Sequence, residues 1–166
     1  MSDLQKELGV VRDEIDSIDG QLLELLNKRA RCAQKVGEIK ARHGEAGFIY
    51  RPEREAQVLR RIQEINPGPL SNENVTWLFR EVMSTCLSLE QPLSVAFLGP
   101  LGSFTGSAAT KHFGHAARLL PQTSIDDVFR EVEAGHAHYA VVPVENSTEG
   151  AVGRSMDLPF ATPLKV

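Results

Sequence analysis

The chain has 166 residues, 42% of them apolar, which is enough to build a packed core in one ordinary domain or two small ones. A net charge of −4 argues against a nucleic-acid binder, which needs a basic surface to displace counterions, and no apolar run approaches the roughly 18–20 residues that span a bilayer. The N-terminus is charged from the start, with no signal-peptide stretch, so Cys32 and Cys86 are expected as buried or half-buried thiols in a reducing cytoplasm.

The first half reads as helix. Apolar or small residues recur at Leu4, Leu8, Val11, Ile15, Ile18, Leu22 and Leu25, then at Cys32, Val36 and Ile39. Steps that alternate between four and three define the seam of a long helix packed along its length. The run should end near Arg42, where His43-Gly44-Glu45-Ala46-Gly47 supplies a stop. At 1.5 Å per residue such a helix is on the order of 55–60 Å long, too long for a small globule to cover. Two copies can cover it, so a homodimer is expected.

A second helix should begin at Pro52, a residue suited to the first turn, and run through Arg54, Glu55, Val58, Leu59 and Ile62. Asn66-Pro67-Gly68-Pro69 terminates it. Ser71 or Asn72 can cap a third helix with the stripe Val75, Leu78, Phe79, Val82 and Cys86, which Pro92 ends. From Leu93 the period changes. Leu93 to Leu98 reads as a buried strand, followed by the turn Gly99 to Gly102 and a helix through Ala108, Ala109 and His112. Ser124 caps a helix over Ile125 to Ala134, and His138 to Val144 is a further strand. This order suggests the opening of a parallel α/β domain, with a boundary at 91/92: an all-α unit over 1–91 and an incomplete α/β segment over 92–166.

Three charged residues occupy positions where the pattern predicts apolar ones. Arg29 lies on the seam between Leu25 and Cys32. Lys40 follows eleven residues later on nearly the same face, and Glu90 follows Cys86 by four and Val82 by eight on the inner face of the third helix. Such residues either snorkel, pair with one another, lie at frayed helix ends, or hold a bound anion. Arg12 lies seventeen residues before Arg29, roughly 25 Å along the axis and about 100° around it, so the two cannot share a pocket on one helix. A partner chain running antiparallel can bring Arg12 there, and a solvent-exposed arginine is the simpler alternative. The five histidines, at 43, 112, 115, 136 and 138, show no metal-ligand spacing, and no metal is expected.

The segments VVRDEIDSIDGQLLELLNKRARCAQKVGEIK, YRPERE and LFREVMSTCLSLEQ together resemble the helical chorismate mutase domain. The following VAFLGPLGSFTGSAATKHFG, SIDDVFREVEAG and YAVVPVENSTEGAV resemble the start of prephenate dehydratase, an α/β domain of periplasmic-binding-protein type. In this order the pair is similar to the bifunctional chorismate mutase–prephenate dehydratases of phenylalanine synthesis. The resemblance implies an intertwined three-helix dimer and a small-molecule substrate, chorismate, with no cofactor, nucleic acid or membrane. It implies that Arg29, and Arg12 of the other protomer, grip the substrate carboxylates. Lys40 would contact a carboxylate and the ether oxygen, Arg54 would orient nearby groups, and Glu55 would accept the substrate hydroxyl. Glu90 stands where the family has Gln or Glu facing the ether oxygen. Arg51 and Cys86 fall where Asp and Ser are common.

Asn146, Ser147, Thr148, Glu149 and Gly150 match a dehydratase substrate loop, but that resemblance covers only the opening of the catalytic domain. The Thr-Arg-Phe motif and the C-terminal regulatory domain of the family lie beyond it, so the expectation is an active mutase with a residual dehydratase loop and no dehydratase activity. The competing readings are a fragment of the full bifunctional enzyme and an inactive helical dimerisation or regulatory module. Against the last stand Arg29, Lys40, Glu55 and Glu90, since a pure interface would gain more from apolar residues there.

Overall fold

In the computed structural model residues 3–44, 50–146 and 150–165 are described. The chain divides into two compact units, Met1–Gly47 and Phe48–Val166.

The first unit is helix α1, Asp3–Arg42. Asp3 in its first turn and Lys40 and Arg42 in its last complement the helix dipole. His43 N–H donates to the carbonyls of Ile39 and Lys40, and Gly44, at φ 75°, turns the chain out of the helix where the sequence predicts a stop. No residue of α1 is buried, and the seam residues Leu4, Leu8, Val11, Ile15, Ile18, Leu22, Leu25, Val36 and Ile39 are all exposed. Cys32, expected to be at least half-buried, is exposed as well, because it lies on the same uncovered helix.

The second unit opens with α2, Pro52–Ile65, whose proline sits at the start of the first turn as expected. The Asn66 side chain then organises the connection, donating to the Leu70 carbonyl at 2.9 Å and to Asn72 Oδ1 at 2.8 Å, and accepting from Gly68 N–H at 3.2 Å. Ser71 caps α3, Asn72–Ser88, by accepting from Asn74 N–H. Gln63 pairs with Thr76 and Glu55 with Arg80, so separations of 13 and 25 residues set α2 and α3 antiparallel. The third helix ends two residues before Glu90, contrary to the expectation that Glu90 lies on its inner face. The N–H groups of Glu90 and Gln91 both turn back to the Leu87 carbonyl, a closing turn ahead of Pro92.

The α/β part follows. Strand β1, Ser94–Leu98, is central to a parallel sheet of order β2-β1-β3, with β2 at Arg118–Gln122 and β3 at Tyr139–Val141. Helix α4, Phe104–Phe113, and helix α5, Ile125–Glu133, lie on its two faces. The pleat explains the division: Val95, Leu119, Tyr139 and Val141 pack with Ala109 and Phe113, while Ala96, Leu98, Leu120 and Ala140 pack with Val128 and Val132. Gly106 lets α4 approach the sheet, since a Cβ there would fall 2.8 Å from the fully buried Phe97 ring. The sequence reading lacked β2 and ran β3 on to Val144. It also lacked the short hairpin β4, Glu145–Asn146, with β5, Gly150–Ala151, and helix α6, Gly153–Ala161. Arg154 of α6 pairs with Asp126 of α5.

Candidate functional site

On α1, Arg12 is exposed, whereas Arg29 and Lys40 are half-buried. The helix is continuous from Asp3 to Arg42, so Arg12 and Arg29 stand roughly 25 Å apart along one axis and cannot reach one ligand from the same chain.

In the second unit the candidate residues gather at the start of α2 and the end of α3. Arg51 is the N-cap of α2 and Arg54 lies in its first turn, both exposed. Glu55, one residue further, is half-buried and paired with Arg80 of α3, whose Nε lies 3.2 Å from Glu55 Oε1. This charge-assisted bond crosses the helix pair and holds the carboxylate in place. Cys86 is buried on α3, and Glu90 is half-buried in the turn after it. Arg80, and Tyr50, whose hydroxyl lies 3.1 Å from His112 Nε2, are the contacts that sequence reasoning missed. Arg80 lies within a stretch that carries the family resemblance, but a partner 25 residues away leaves no periodic trace.

The residual dehydratase loop is bracketed by the β4–β5 hairpin, in which Asn146 pairs with Gly150 and Val152 N–H donates to the Val144 carbonyl at 3.0 Å. Ser147, Thr148 and Glu149 lie outside the described residues.

Among the described residues, no group of three His, Cys, Asp or Glu side chains is placed to hold a metal ion, and no helix is long and apolar enough to cross a membrane. The α3 helix is tied to the loop after α4 by Glu81, which accepts from His115 N–H at 3.1 Å and lies 2.9 Å from His115 Nδ1. Burial works to raise the Glu81 pKa, but these bonds to His115, helped by Arg80, hold it below the ordinary carboxylate value.

In chain order, a long helix with cations spaced along it is followed by an antiparallel helix pair and a parallel α/β segment. Residues 11–91 match the family model for chorismate mutase type II, and residues 95–166 match that for prephenate dehydratase. The helical part is thus similar to chorismate mutase type II and the part that follows it to prephenate dehydratase. A bifunctional chorismate mutase/prephenate dehydratase from Pseudomonas aeruginosa is 58% identical over 156 residues, covering 92% of this chain and 43% of the relative. One from Neisseria gonorrhoeae is 56% identical over 154 residues, covering 93% of this chain and 41% of the relative. The chain therefore spans less than half the length of these relatives. Among solved structures, a chorismate mutase from Thermus thermophilus is 31% identical, covers 51% of this chain and 94% of its own, and has a TM-score of 0.48.

Proposed function

We propose that the chain rearranges chorismate to prephenate in the cytoplasm, on the route to phenylalanine, as a homodimer whose sites are shared between protomers. The observation that carries the reading is the match of residues 11–91 to chorismate mutase type II, with Arg12, Arg29 and Lys40 set along one continuous helix. An apolar seam exposed over most of that helix supports the dimer, since a second copy running antiparallel would cover it and bring a second Arg12 toward Arg29.

The reaction is a [3,3] rearrangement that needs no nucleophile, metal or cofactor. The site must hold an extended dianion in its compact reactive conformer and stabilise the negative charge that grows on the breaking ether oxygen. Arg29 and the partner subunit's Arg12 suit bidentate capture of the two carboxylates. Lys40, with Glu90 beside it, would face the ether oxygen, Lys40 donating a bond that strengthens as charge develops and so lowers the barrier. Glu55, held by Arg80, would accept the substrate hydroxyl, with Arg51, Arg54 and Cys86 at the margin of the site.

Chorismate loss is followed by ultraviolet absorbance while prephenate and phenylpyruvate are both quantified. The proposal expects prephenate and no enzyme-dependent phenylpyruvate at neutral pH. Absence of chorismate turnover would end the mutase reading. A second reading is that these residues work within a longer bifunctional enzyme that carries prephenate on to phenylpyruvate. It is supported by the curated relatives, of which the chain spans less than half, and phenylpyruvate formation would favour it.

A further inference from the structure

Arg80 of α3 carries none of the roles that the family resemblance assigns, yet it holds a residue that does. Its Nε donates to Glu55 Oε1 at 3.2 Å, with the Arg80 side chain 28% and the Glu55 side chain 15% exposed. Two neutral bonds already join this helix pair further from the start of α2: Gln63 Nε2 donates to Thr76 Oγ1 at 2.8 Å, and Asn66 Nδ2 to Asn72 Oδ1 at the same distance. Measured from the Gln63–Thr76 bond, Glu55 lies eight residues back along α2, about 12 Å, while Arg80 lies four residues on along α3, about 6 Å. A long side chain is needed to close that difference, and arginine supplies it.

The choice of a charged pair needs a reason other than stability. When two charges are largely withdrawn from water, the loss of hydration offsets most of their attraction, and apolar residues of similar volume would join the helices as well. What an ion pair adds is direction. A charge-assisted N–H bond to one carboxylate oxygen restrains the carboxylate's rotation and keeps it an acceptor.

We propose that Arg80 is a positioning residue for the mutase reaction: it fixes the Glu55 carboxylate in the orientation that accepts the substrate hydroxyl. The inference rests on the mutase reading above. Arg80 touches no reacting atom, and the hydroxyl that it serves through Glu55 is not part of any bond made or broken. Glu55 therefore meets the same group in ground and transition states, so loosening it weakens binding and leaves the chemical step alone.

The test measures KM, kcat and melting temperature in the full chain for Arg80→Met, Arg80→Lys, Glu55→Gln, the Arg80→Met/Glu55→Gln double variant, and Gln63→Leu as the control for helix pairing. Arg80→Met keeps the apolar stem and removes the donor; Arg80→Gln replaces it in the series where Arg80→Met does not fold. It should raise KM about three- to tenfold, the range expected for one weakened hydrogen bond, with kcat within about twofold of the parent. Arg80→Lys, a cation of similar reach that can still make a single bond, should regain most of the parent KM. The double variant should have a KM no higher than that of Glu55→Gln alone, because Arg80 acts through Glu55. Gln63→Leu should lower the melting temperature and leave KM unmoved. An unchanged KM in Arg80→Met, with the parent active, overturns the inference and leaves the mutase reading intact. So does a double variant whose KM rises by the product of the two single effects, or a Gln63→Leu variant whose KM rises as much as that of Arg80→Met, the signature of a merely structural role. A parent with no chorismate turnover removes both.

Discussion

Gly114→Ala should be among the most destabilising single-methyl additions in this chain. Gly114 closes α4 at φ 79°, where its N–H donates to the Thr110 carbonyl. A Cβ at this position would fall 2.4 Å from both Cβ and Oγ of Ser84 on α3, the latter donating to the Phe113 carbonyl at 2.7 Å. Two penalties combine. Forcing an L residue into the left-handed region costs about 1–2 kcal/mol. Pushing two packed backbones apart costs about 1–3 kcal/mol more, before any loss of the buried Ser84 bond. A total of about 2–5 kcal/mol is a large part of the 5–15 kcal/mol that ordinary domains possess. Gly102→Ala is the control: φ is 84° and nothing lies within 4 Å of the added carbon, so only the first penalty applies. Urea unfolding of both variants, followed by circular dichroism, separates the contributions. Equal destabilisation by the two would refute the close approach of α3 to the α4 terminus.

Three further outcomes follow from the same structure. Sedimentation at micromolar concentration should show a dimer, because α1 of a single chain buries none of its residues; a monomer with full mutase activity would rule the dimer out. Glu90→Gln, whose amide can still donate a hydrogen bond, should keep chorismate turnover, while Glu90→Ala should lower it by about tenfold or more; a Glu90→Ala rate equal to the parent's would pass the ether-oxygen role to Lys40. Glu81 has a folded-state pKa below its ordinary value of 4.5, so its link to His115 stabilises the fold above that value and is lost as pH falls through the lower, folded-state one. Glu81→Gln should flatten acid unfolding in that window, and an acid profile identical to the parent's would show that the link carries no stability.

What could be read in the sequence was local. The bounds of α1, the proline start of α2 and the serine caps at 71 and 124 each depend on a few neighbouring residues, and all appear where the pattern places them. Strand β2 escaped because Arg118-Leu-Leu-Pro-Gln122 lacks alternation and carries a proline, tolerable here because β2 is an outer strand of its sheet. Helix α6 escaped because Pro159 lies within it. For Glu90 the helical period was extended beyond the point where the backbone turns back on Leu87, a change that periodicity does not report. At the candidate site the residue types were legible as misplaced charge or through the family resemblance. The Arg80–Glu55 and Tyr50–His112 pairs were not, since their partners lie 25 and 62 residues apart and meet only after folding.

Subunit mixing tests most directly whether a second copy of the chain completes the mutase site. Arg12→Ala and Arg29→Ala chains, each nearly inactive alone, are exchanged at equal concentration and chorismate consumption is measured. A heterodimer then pairs the native Arg29 of one chain with the native Arg12 of the other in one of its two sites. With half of the dimers mixed, the rate should recover to about a quarter of the parent value, as a two-fold shared site requires. No recovery, with subunit exchange confirmed independently, would contradict the shared site.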